Sequence, residues 1–534
     1  MPRYITDNDP ISGTILTPLL IVCAAVAVYA LSYIPQTSNE AFQNTSLARS
    51  LVQGEGFQVA SHPDHPPALT SDPGYPVILG VSIWLLGAIF EATQGALILN
   101  LLAAAGFLWV VWSLFVARIG RRGAAYLTVL VALTPMVGKQ SVQISPEMLS
   151  AFLAMALLSN FHQNISEDGR SDGPWQICRT GFLSGLLILC NLFMVAVAVS
   201  IGISLVRISK YRQAAWFGLC VFLVLLPWCF WISIQEGESI LTPFLLKNPD
   251  IGLLGRADTL DFVIRMTRNC WRYLSELIGI GMLPALAPME SMAISNLVSL
   301  SLAALVFFGV STRMGNDWLG TYGMVVGFAL MVWPWSAPEM LLTAIPLMWL
   351  GLYLTTREFV RRWGTWISPA TLRMVGIALF LCFAIPNAHG HVRQIETSFS
   401  YRNGNLPPSE VAFGEALAWI RSETDEDDIL MCISTSRVFA ETNRLCIPPP
   451  GFPTPDSISR TLLRHNVKYV LSAPAPGHTV PDLNALLIAP VVQRYDEVFI
   501  PVFQSRGPDP VTIYAVSTST SNRMAQQGIR VNYH

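Results

Sequence analysis

Two glutamates are notable for their positions beside long apolar segments. Glu40 follows the first apolar run by a few residues, and Glu147 opens a later run within "QISPEML". A carboxylate in such a place can take a proton from a hydroxyl or share a divalent cation. Whether the two can act together depends on whether the chain brings both to the same side of a membrane.

The composition is that of an integral membrane protein. Of the 534 residues, 52% are hydrophobic and 13% are charged, whereas soluble domains carry about 25% charged residues. The net charge of -2 comes without a polybasic segment, so nucleic acid is not expected as a partner.

Ten apolar runs are long enough, or nearly so, to cross a bilayer, and a further run is considered separately. The ten lie at 13–34, 95–117, 123–138, 147–162, 179–206, 214–233, 293–312, 318–334, 338–355 and 370–386, and the further run at 75–90. Lys and Arg in short loops stay in the cytoplasm. The basic loops are "RIGRR", "RISKYR", "TR" and "TTREFVRR".

Two runs decide the topology. If the run at 75–90 crossed, "RIGRR" would lie outside, so we predict that this run lies along the outer surface or re-enters. The run at 179–206 must start and finish inside, and at about 28 residues it is too short for two full spans. We therefore predict two short helices that meet near Asn191, a break that is tolerated where protein packs against it.

The predicted fold class is an α-helical polytopic membrane protein with about eleven crossings and a small C-terminal α/β domain. The membrane domain is 1–395, with outer loops at 35–93 and 234–292, and the outer domain is 396–534. The N-terminus is cytoplasmic, the C-terminal domain is extracytoplasmic, and the location is the plasma membrane. Cys432 and Cys446 fall in the outer domain, where they are either free or joined by a disulfide.

The outer domain is predicted from alternating patterns. "EVAFGEALAWIRSETDEDD" and a segment near 456–465 have helical periodicity, whereas "ILMCIST", "VKYVLSA", "VFIPVFQS" and "VTIYAVS" are typical of strands. Such alternation favours a small layered α/β domain.

The first outer loop resembles that of the GT-C superfamily of membrane glycosyltransferases. The similarity lies in "EAFQNTSLARSLVQGEGF", "PP" at 66–67 and "DPGYP" at 72–76. Later segments, "SPEMLSAFLAMAL", "GFLSGLLILCN" and "LLPWCF", resemble further family motifs in order. The sequence departs from the pattern at Glu40, where Asp is usual, and at Asn191 and Glu339, where Arg is common.

The resemblance implies a glycosyltransferase that uses a polyprenyl-phosphate sugar and inverts the anomeric carbon. The acceptor would be a glycan, lipid or protein hydroxyl at the outer face of the membrane. This chemistry requires a base for the acceptor proton and positive charge for the departing phosphate. Glu40 is the candidate base, and Glu147 is the second catalytic candidate, which would orient the acceptor or share a divalent cation.

The remaining candidates concern substrate and metal. Substrate contacts are predicted for Asp72 and Tyr75 of "DPGYP", and phosphate contacts for Lys139 and for an arginine row of Arg265, Arg268 and Arg272, whose spacing favours one helical face. A divalent metal would be held by Glu40, Glu147, His62 or His65. Each residue also has a plainer interpretation, as a helix-start acid, a turn former, an interface lysine, a solvated arginine face or a surface histidine.

Two other classes of protein remain open. A transporter or flippase of lipid-linked sugars would have inverted repeats, and the sequence has no second bent pair. A non-catalytic membrane scaffold related to the enzymes is favoured by the missing arginines.

Overall fold

A computed structural model gives the fold. It describes residues 11–32, 39–86, 92–166, 174–235, 242–246, 256–286, 292–314, 317–334, 338–363, 368–450, 455–473, 488–494, 497–506 and 510–517.

The described residues before 403 are mostly helical. The helices are α1 (Ile11–Ser32), α2 (Asn39–Gln53), α3 (Gly74–Leu86), α4 (Ala92–Leu133), α5 (Pro135–Val142), α6 (Glu147–Ser166), α7 (Pro174–Cys190), α8 (Val195–Arg207), α9 (Tyr211–Ile234), α10 (Thr242–Leu245), α11 (Thr259–Arg272), α12 (Ile278–Met282), α13 (Met292–Met314), α14 (Trp318–Val332), α15 (Ile345–Trp363) and α16 (Pro369–Arg402). Short 3-10 turns cover Leu192–Met194, Pro284–Leu286 and Pro338–Thr343, and a π-helical turn covers Tyr273–Leu277.

Several helices are long and apolar enough to cross a membrane. Among the described residues, four qualify alone, and they lie within α4, α9, α13 and α16. The helices α5 and α6 qualify as a pair, but they are bent by 112° at the break between them. The chain is therefore a multi-pass membrane protein, while the predicted number of crossings stays a prediction.

The run at 75–90 forms α3, which has 13 residues. A helix of that length is about 20 Å long, whereas the hydrocarbon core is about 30 Å thick. The described part of this run is shorter than the hydrocarbon core is thick, and its surface or re-entrant position stays a prediction. Residues 87–90 lie outside the described residues.

The basic segment "RIGRR" is where α4 changes direction. Gly120 has φ 79° and ψ 167°, a left-handed conformation that glycine adopts without a Cβ penalty. The two predicted runs at 95–117 and 123–138 therefore meet at this glycine. The second run was predicted too long, because the helix ends at Leu133 and Pro135 starts a new one.

The run at 179–206 breaks at Asn191, as predicted. Asn191 is extended, with φ -160° and ψ 115°, and its side-chain oxygen accepts a hydrogen bond from the Phe193 N–H. That bond satisfies one of the backbone donors that a helix start leaves without a partner. The helices on either side are α7 and α8.

The C-terminal part contains a five-stranded mixed sheet. Its strands are β1 (Ile429–Met431), β2 (Cys446–Ile447), β3 (Val467–Ser472), β4 (Phe499–Gln504) and β5 (Thr512–Val516), in the order β2-β1-β3-β5-β4. The pairs β1–β2 and β1–β3 are parallel, whereas β3–β5 and β4–β5 are antiparallel. The helices are α17 (Pro408–Glu423), α18 (Thr435–Thr442), α19 (Pro455–Arg464) and α20 (Ala489–Arg494).

This sheet has hydrophobic clusters of its own, and the strand patterns found in the sequence correspond to β1, β3, β4 and β5. The elements α18, α20 and β2 were not predicted from the sequence. The predicted boundary at 395/396 falls inside α16, which continues to Arg402. Cys432 and Cys446 are buried free thiols.

The first loop contacts the C-terminal sheet at its β2 edge. The Cys446 N–H donates to the Ser61 carbonyl oxygen at 2.7 Å. Nearby, the rings of His62 and His465 meet edge to face at 5.3 Å, and Asp64 lies 3.6 Å from the Arg464 guanidinium. The loop that follows α2 therefore connects the helical part to the sheet.

Candidate active site

Four carboxyl groups come from the starts of helices or from the residues just before them. Glu40 lies in the first turn of α2, Glu147 is the first residue of α6, and Glu339 lies in the first turn of the 3-10 segment that precedes α15. Asp72 lies two residues before α3. Backbone N–H groups at the start of a helix stabilise negative charge. Each acid therefore lies where the local backbone favours its ionised form.

The structure brings these four acids together. Glu40 interacts electrostatically with Glu147, Glu339 and Asp72, and Glu147 interacts with Glu339 and Asp72. Glu40 and Glu147, the two acids predicted to share a site, are thus within electrostatic range of each other and of Asp72, while their roles stay predictions. Glu339 joins them, although the sequence indicated it only as a departure from the family pattern.

Glu40 lies in a recess that solvent can reach. Its surface remains exposed, yet the protein that surrounds it raises the pKa of its carboxyl well above the ordinary value of 4.5. The neighbouring acids Glu147, Glu339 and Asp72 raise this pKa further. A carboxyl that is both accessible and enclosed lies in a concave site, and once ionised it is a stronger base than a free glutamate.

Asp72 connects this recess to the helix break. One of its carboxyl oxygens accepts a hydrogen bond from the Leu192 N–H at 3.1 Å. Burial raises the pKa of Asp72 from 3.8 to about 7, and Glu147 adds to the rise, while the bond to Leu192 opposes it. The side chain therefore fixes the loop before α3 against the start of the segment after Asn191.

Tyr75 is buried behind the acids. Its phenol lies beside Asn100 and the backbone of Ser145, within electrostatic range of Glu147 and Glu40. The side chain is 1% exposed, and its hydroxyl has no partner of good hydrogen-bond geometry among the described residues. A buried hydroxyl in this state is suited to a polar ligand or a water molecule.

Lys139 lies in the last turn of α5 and is half-buried. Eight residues along the chain, after the 112° bend, α6 begins at Glu147. A lysine here is close in sequence to the acid site, and its contact with phosphate stays a prediction.

The three arginines of α11 differ in their surroundings. Arg265 is 3% exposed and donates to the carbonyl oxygens of Phe244, at 3.2 Å, and Leu246. Arg268 is exposed, and Arg272 lies 3.8 Å from Glu276. Helical spacing indicated one common face, but the packing of α11 separates Arg265 from Arg268.

The two candidate histidines lie at the contact with the C-terminal sheet. The Asp64 N–H donates to His62 Nδ1 at 3.1 Å. Burial lowers the pKa of His62, and His465, His65 and Arg464 lower it further, whereas Asp64 opposes them. Within the described ranges, no three His, Cys, Asp or Glu side chains are arranged to hold a metal ion, and metal binding by Glu40, Glu147, His62 or His65 stays a prediction.

A polar group at the α5–α6 bend was not predicted from the sequence. The side chains of Asn100, Gln140 and Ser145 are fully buried, although each lies in or beside an apolar run. Burying a polar side chain in such a run destabilises the protein unless the side chain has hydrogen-bond partners or a functional role. The polar residues within these apolar runs were therefore the signal from which the group could have been predicted.

The fold is that of known membrane glycosyltransferases. No sequence-family model and no curated protein matches the chain by sequence. Its structure is similar to that of ArnT from Cupriavidus metallidurans bound to undecaprenyl phosphate, with a TM-score of 0.58 and 12% identity over 96% of this chain and 99% of that one. It is also similar to the Archaeoglobus fulgidus oligosaccharyltransferase tethered with an acceptor peptide, with a TM-score of 0.55 and 12% identity over 94% of this chain and 74% of that one.

Both of these proteins are GT-C glycosyltransferases. The chain therefore has a GT-C-like fold, with a small mixed sheet near its C-terminus. In the described residues this fold is combined with the four carboxyls of Glu40, Asp72, Glu147 and Glu339.

Proposed function

We propose that this protein is a membrane glycosyltransferase. It moves a sugar from a polyprenyl-phosphate donor to an acceptor hydroxyl at the outer face of the plasma membrane, with inversion. The GT-C-like fold supports the class. The observation that carries the proposal is the accessible, enclosed carboxyl of Glu40 beside Glu147 and Asp72.

The reaction is a single displacement at the anomeric carbon. The acceptor oxygen forms a bond to that carbon while the bond to the lipid phosphate oxygen breaks, and the phosphate leaves with the electron pair. Glu40 takes the acceptor proton as the new bond forms. Attack from the face opposite the leaving group inverts the carbon.

Other groups would bind the two substrates. Glu147, whose Oε2 is buried without a partner, would accept a hydrogen bond from a substrate hydroxyl. Tyr75 and Asp72 would contribute further polar contacts, and Lys139, Arg268 and Arg272 would supply positive charge to the phosphate. No step in this scheme depends on a metal ion.

The test is transfer by the purified protein in detergent. Radiolabelled polyprenyl-phosphate sugars would be offered with extracted cell-envelope acceptors, and the labelled product would be measured. We expect Glu40→Gln to lose activity by about 10²–10⁴-fold, the usual contribution of a general base. Glu55→Gln is the matched control, because Glu55 is exposed in the same loop and should leave transfer unchanged.

Two results would contradict the proposal. One is full activity of Glu40→Gln in protein that folds and inserts normally. The other is movement of a lipid-linked sugar across vesicles without transfer in detergent, which would instead identify a transporter.

A further inference from the structure

The helix that carries Glu40 has neighbours from both parts of the chain. In the helical part, α2 packs against α3, where a Cβ at Gly80 would lie 3.3 Å from the Ala48 carbonyl oxygen. In the C-terminal part, α18 packs against α2. Just after α18, the Cys446 N–H donates to the Ser61 carbonyl oxygen in the loop that follows α2. The C-terminal part therefore covers both α2 and the loop after it.

The helix α18 is covered on opposite sides. Val438 is fully buried and belongs to the apolar cluster that α18 shares with α17 and the sheet. Ser436 lies two residues earlier, which is about 200° around a helix, and it is buried as well. A helix of eight residues is not stable in water by itself, so the position of α18 depends on the contacts that its side chains make.

Arg437 connects α18 to α17. Its guanidinium donates to both carboxyl oxygens of Glu410, at 2.7 and 3.2 Å, and to the Glu441 carboxyl at 3.0 Å. The same group lies over the ring of Phe413, 4.6 Å from its centre. The Arg437 side chain is 14% exposed, so water and salt screen these ion pairs less than they would at an open surface. Without the arginine, two carboxylates would face the same gap.

The partner helix α17 is attached closely to the membrane helix α16. Glu410 lies in the first turn of α17, and only residues 403–407 separate the two helices. Within this connection, the N–H groups of Asn403, Gly404 and Asn405 donate to carbonyl oxygens in the last turn of α16. Gly404 has φ 81°, the left-handed conformation with which helices commonly end. The tight turn fixes Glu410 relative to α16.

The position of α2 decides where Glu40 lies relative to the other acids. Glu40 is in the first turn of α2. Gln43, about one turn later, donates from Nε2 to Ser71 Oγ at 2.7 Å, beside Asp72. A shift of α2 would therefore move Glu40 within the recess. A displacement of about 1 Å can lower the rate of a reaction that depends on such positioning by about 10²-fold.

We infer that Arg437 is a positioning residue for Glu40. Through Glu410 it fixes α18 to α17, which is anchored on the membrane helix α16, and α18 in turn holds α2 in place. The C-terminal part is thus a support for the candidate base as well as a cover over the first loop. The effect on sugar transfer rests on the proposed function, but the support of α2 can be measured without any substrate.

The experiment is hydrogen exchange of the purified full-length protein in detergent, followed by mass spectrometry. In Arg437→Met, the amides of α18 and α2 should exchange about 10-fold faster than in the wild type, the equivalent of one hydrogen bond to a charged group. Glu410→Gln should change α2 in the same direction, and Arg437→Lys, which keeps the charge, should restore part of the protection. The double variant Arg437→Met/Glu410→Gln should match Arg437→Met, because both changes remove one contact.

Lys468→Met is the matched control. Lys468 Nζ lies 2.7 Å from the Asp428 carboxyl, so this variant also breaks an ion pair of the C-terminal part, but neither residue belongs to α17 or α18. Exchange of the α2 amides should stay at the wild-type rate. The inference is overturned if α2 in folded Arg437→Met exchanges as in the wild type, or if Lys468→Met accelerates α2 as much as Arg437→Met does. If Arg437→Met does not fold, the same criteria apply to Glu410→Gln.

Kinetics then separate this inference from the proposed function. In Arg437→Met we expect kcat to fall by about 10–100-fold and KM for the polyprenyl-phosphate sugar to change by less than about twofold, because the base is displaced while the lipid contacts remain. If α2 exchanges faster as expected but the wild type transfers no sugar, the support of α2 stands and the proposed function fails. If the wild type transfers sugar and Arg437→Met keeps its kcat, the proposed function stands and this inference fails.

Discussion

Replacing Asp72 by Asn should remove a pH dependence from the stability of the folded protein. Burial raises the pKa of Asp72 from 3.8 to about 7, so the folded state binds more protons than the unfolded state between these values. Stability therefore falls as pH rises through this window, and the loss is complete above about pH 7. Asn has the shape of the neutral acid and can still accept from the Leu192 N–H.

The size of the effect follows from the pKa. A folded-state pKa about three units above its ordinary value corresponds to about 4 kcal/mol. About 2.5 kcal/mol of this loss develops between pH 5 and pH 8.5. Asp72→Ala should behave differently, because it also leaves the Leu192 N–H without its acceptor, which costs about 1–3 kcal/mol at both pH values.

The assay is unfolding of the purified protein in detergent, followed at pH 5 and pH 8.5. Between pH 5 and pH 8.5 the wild type should lose up to about 2.5 kcal/mol of unfolding free energy that Asp72→Asn keeps. The variant should therefore be more stable relative to the wild type at the higher pH than at the lower. Asp427→Asn is the control, since Asp427 is exposed and should leave the pH dependence unchanged. Parallel curves for the wild type and Asp72→Asn would refute the reasoning.

Two further predictions concern topology and packing. In intact cells a thiol reagent that cannot cross membranes should label Asp427→Cys, whereas it should label Arg121→Cys only after permeabilisation; the reverse would overturn the orientation deduced from basic loops. Gly309→Ala should destabilise the protein by about 1–3 kcal/mol, because its Cβ would overlap the Gly351 carbonyl oxygen where α13 meets α15. Gly327→Ala, where a Cβ meets nothing within 4 Å, should be close to neutral, and equal unfolding temperatures for the two variants would contradict this packing argument.

Local signals predicted the parts of the fold that depend on chain length and charge. A run too long for one span and too short for two implied the break at Asn191, which the structure confirms. The loop charges implied that α3 does not cross, which stays a prediction. The strands β1, β3, β4 and β5 were likewise visible as β-rich runs. These features are set by residues close to each other in sequence.

The features that were missed depend on distant contacts. The 112° bend between α5 and α6 is held by Asn100, which lies 43 residues before Gln143. The strand β2 has only two residues, and its place follows from pairing with β1. The periodicity of α11 identified a row of arginines, but the carbonyl oxygens that bind Arg265 come from Phe244 and Leu246.

The candidate site was predictable only in part, because some of its residues meet through contacts between distant parts of the chain. Glu40 and Glu147 could be assigned to one side of the membrane from topology alone. The addition of Glu339 and the buried polar group at the α5–α6 bend required the fold, because Glu339 lies almost 200 positions beyond Glu147 in the chain. Their roles in catalysis remain predictions that the variants above address.

The bond from the Cys446 N–H to Ser61 has a consequence for how the protein can be divided. An exposed edge strand readily pairs with other chains. Here the loop after α2 covers the edge strand β2. A secreted fragment that starts after α16 would lack the loop that covers β2, and it would be prone to self-association. The membrane part thus covers one edge of the C-terminal sheet.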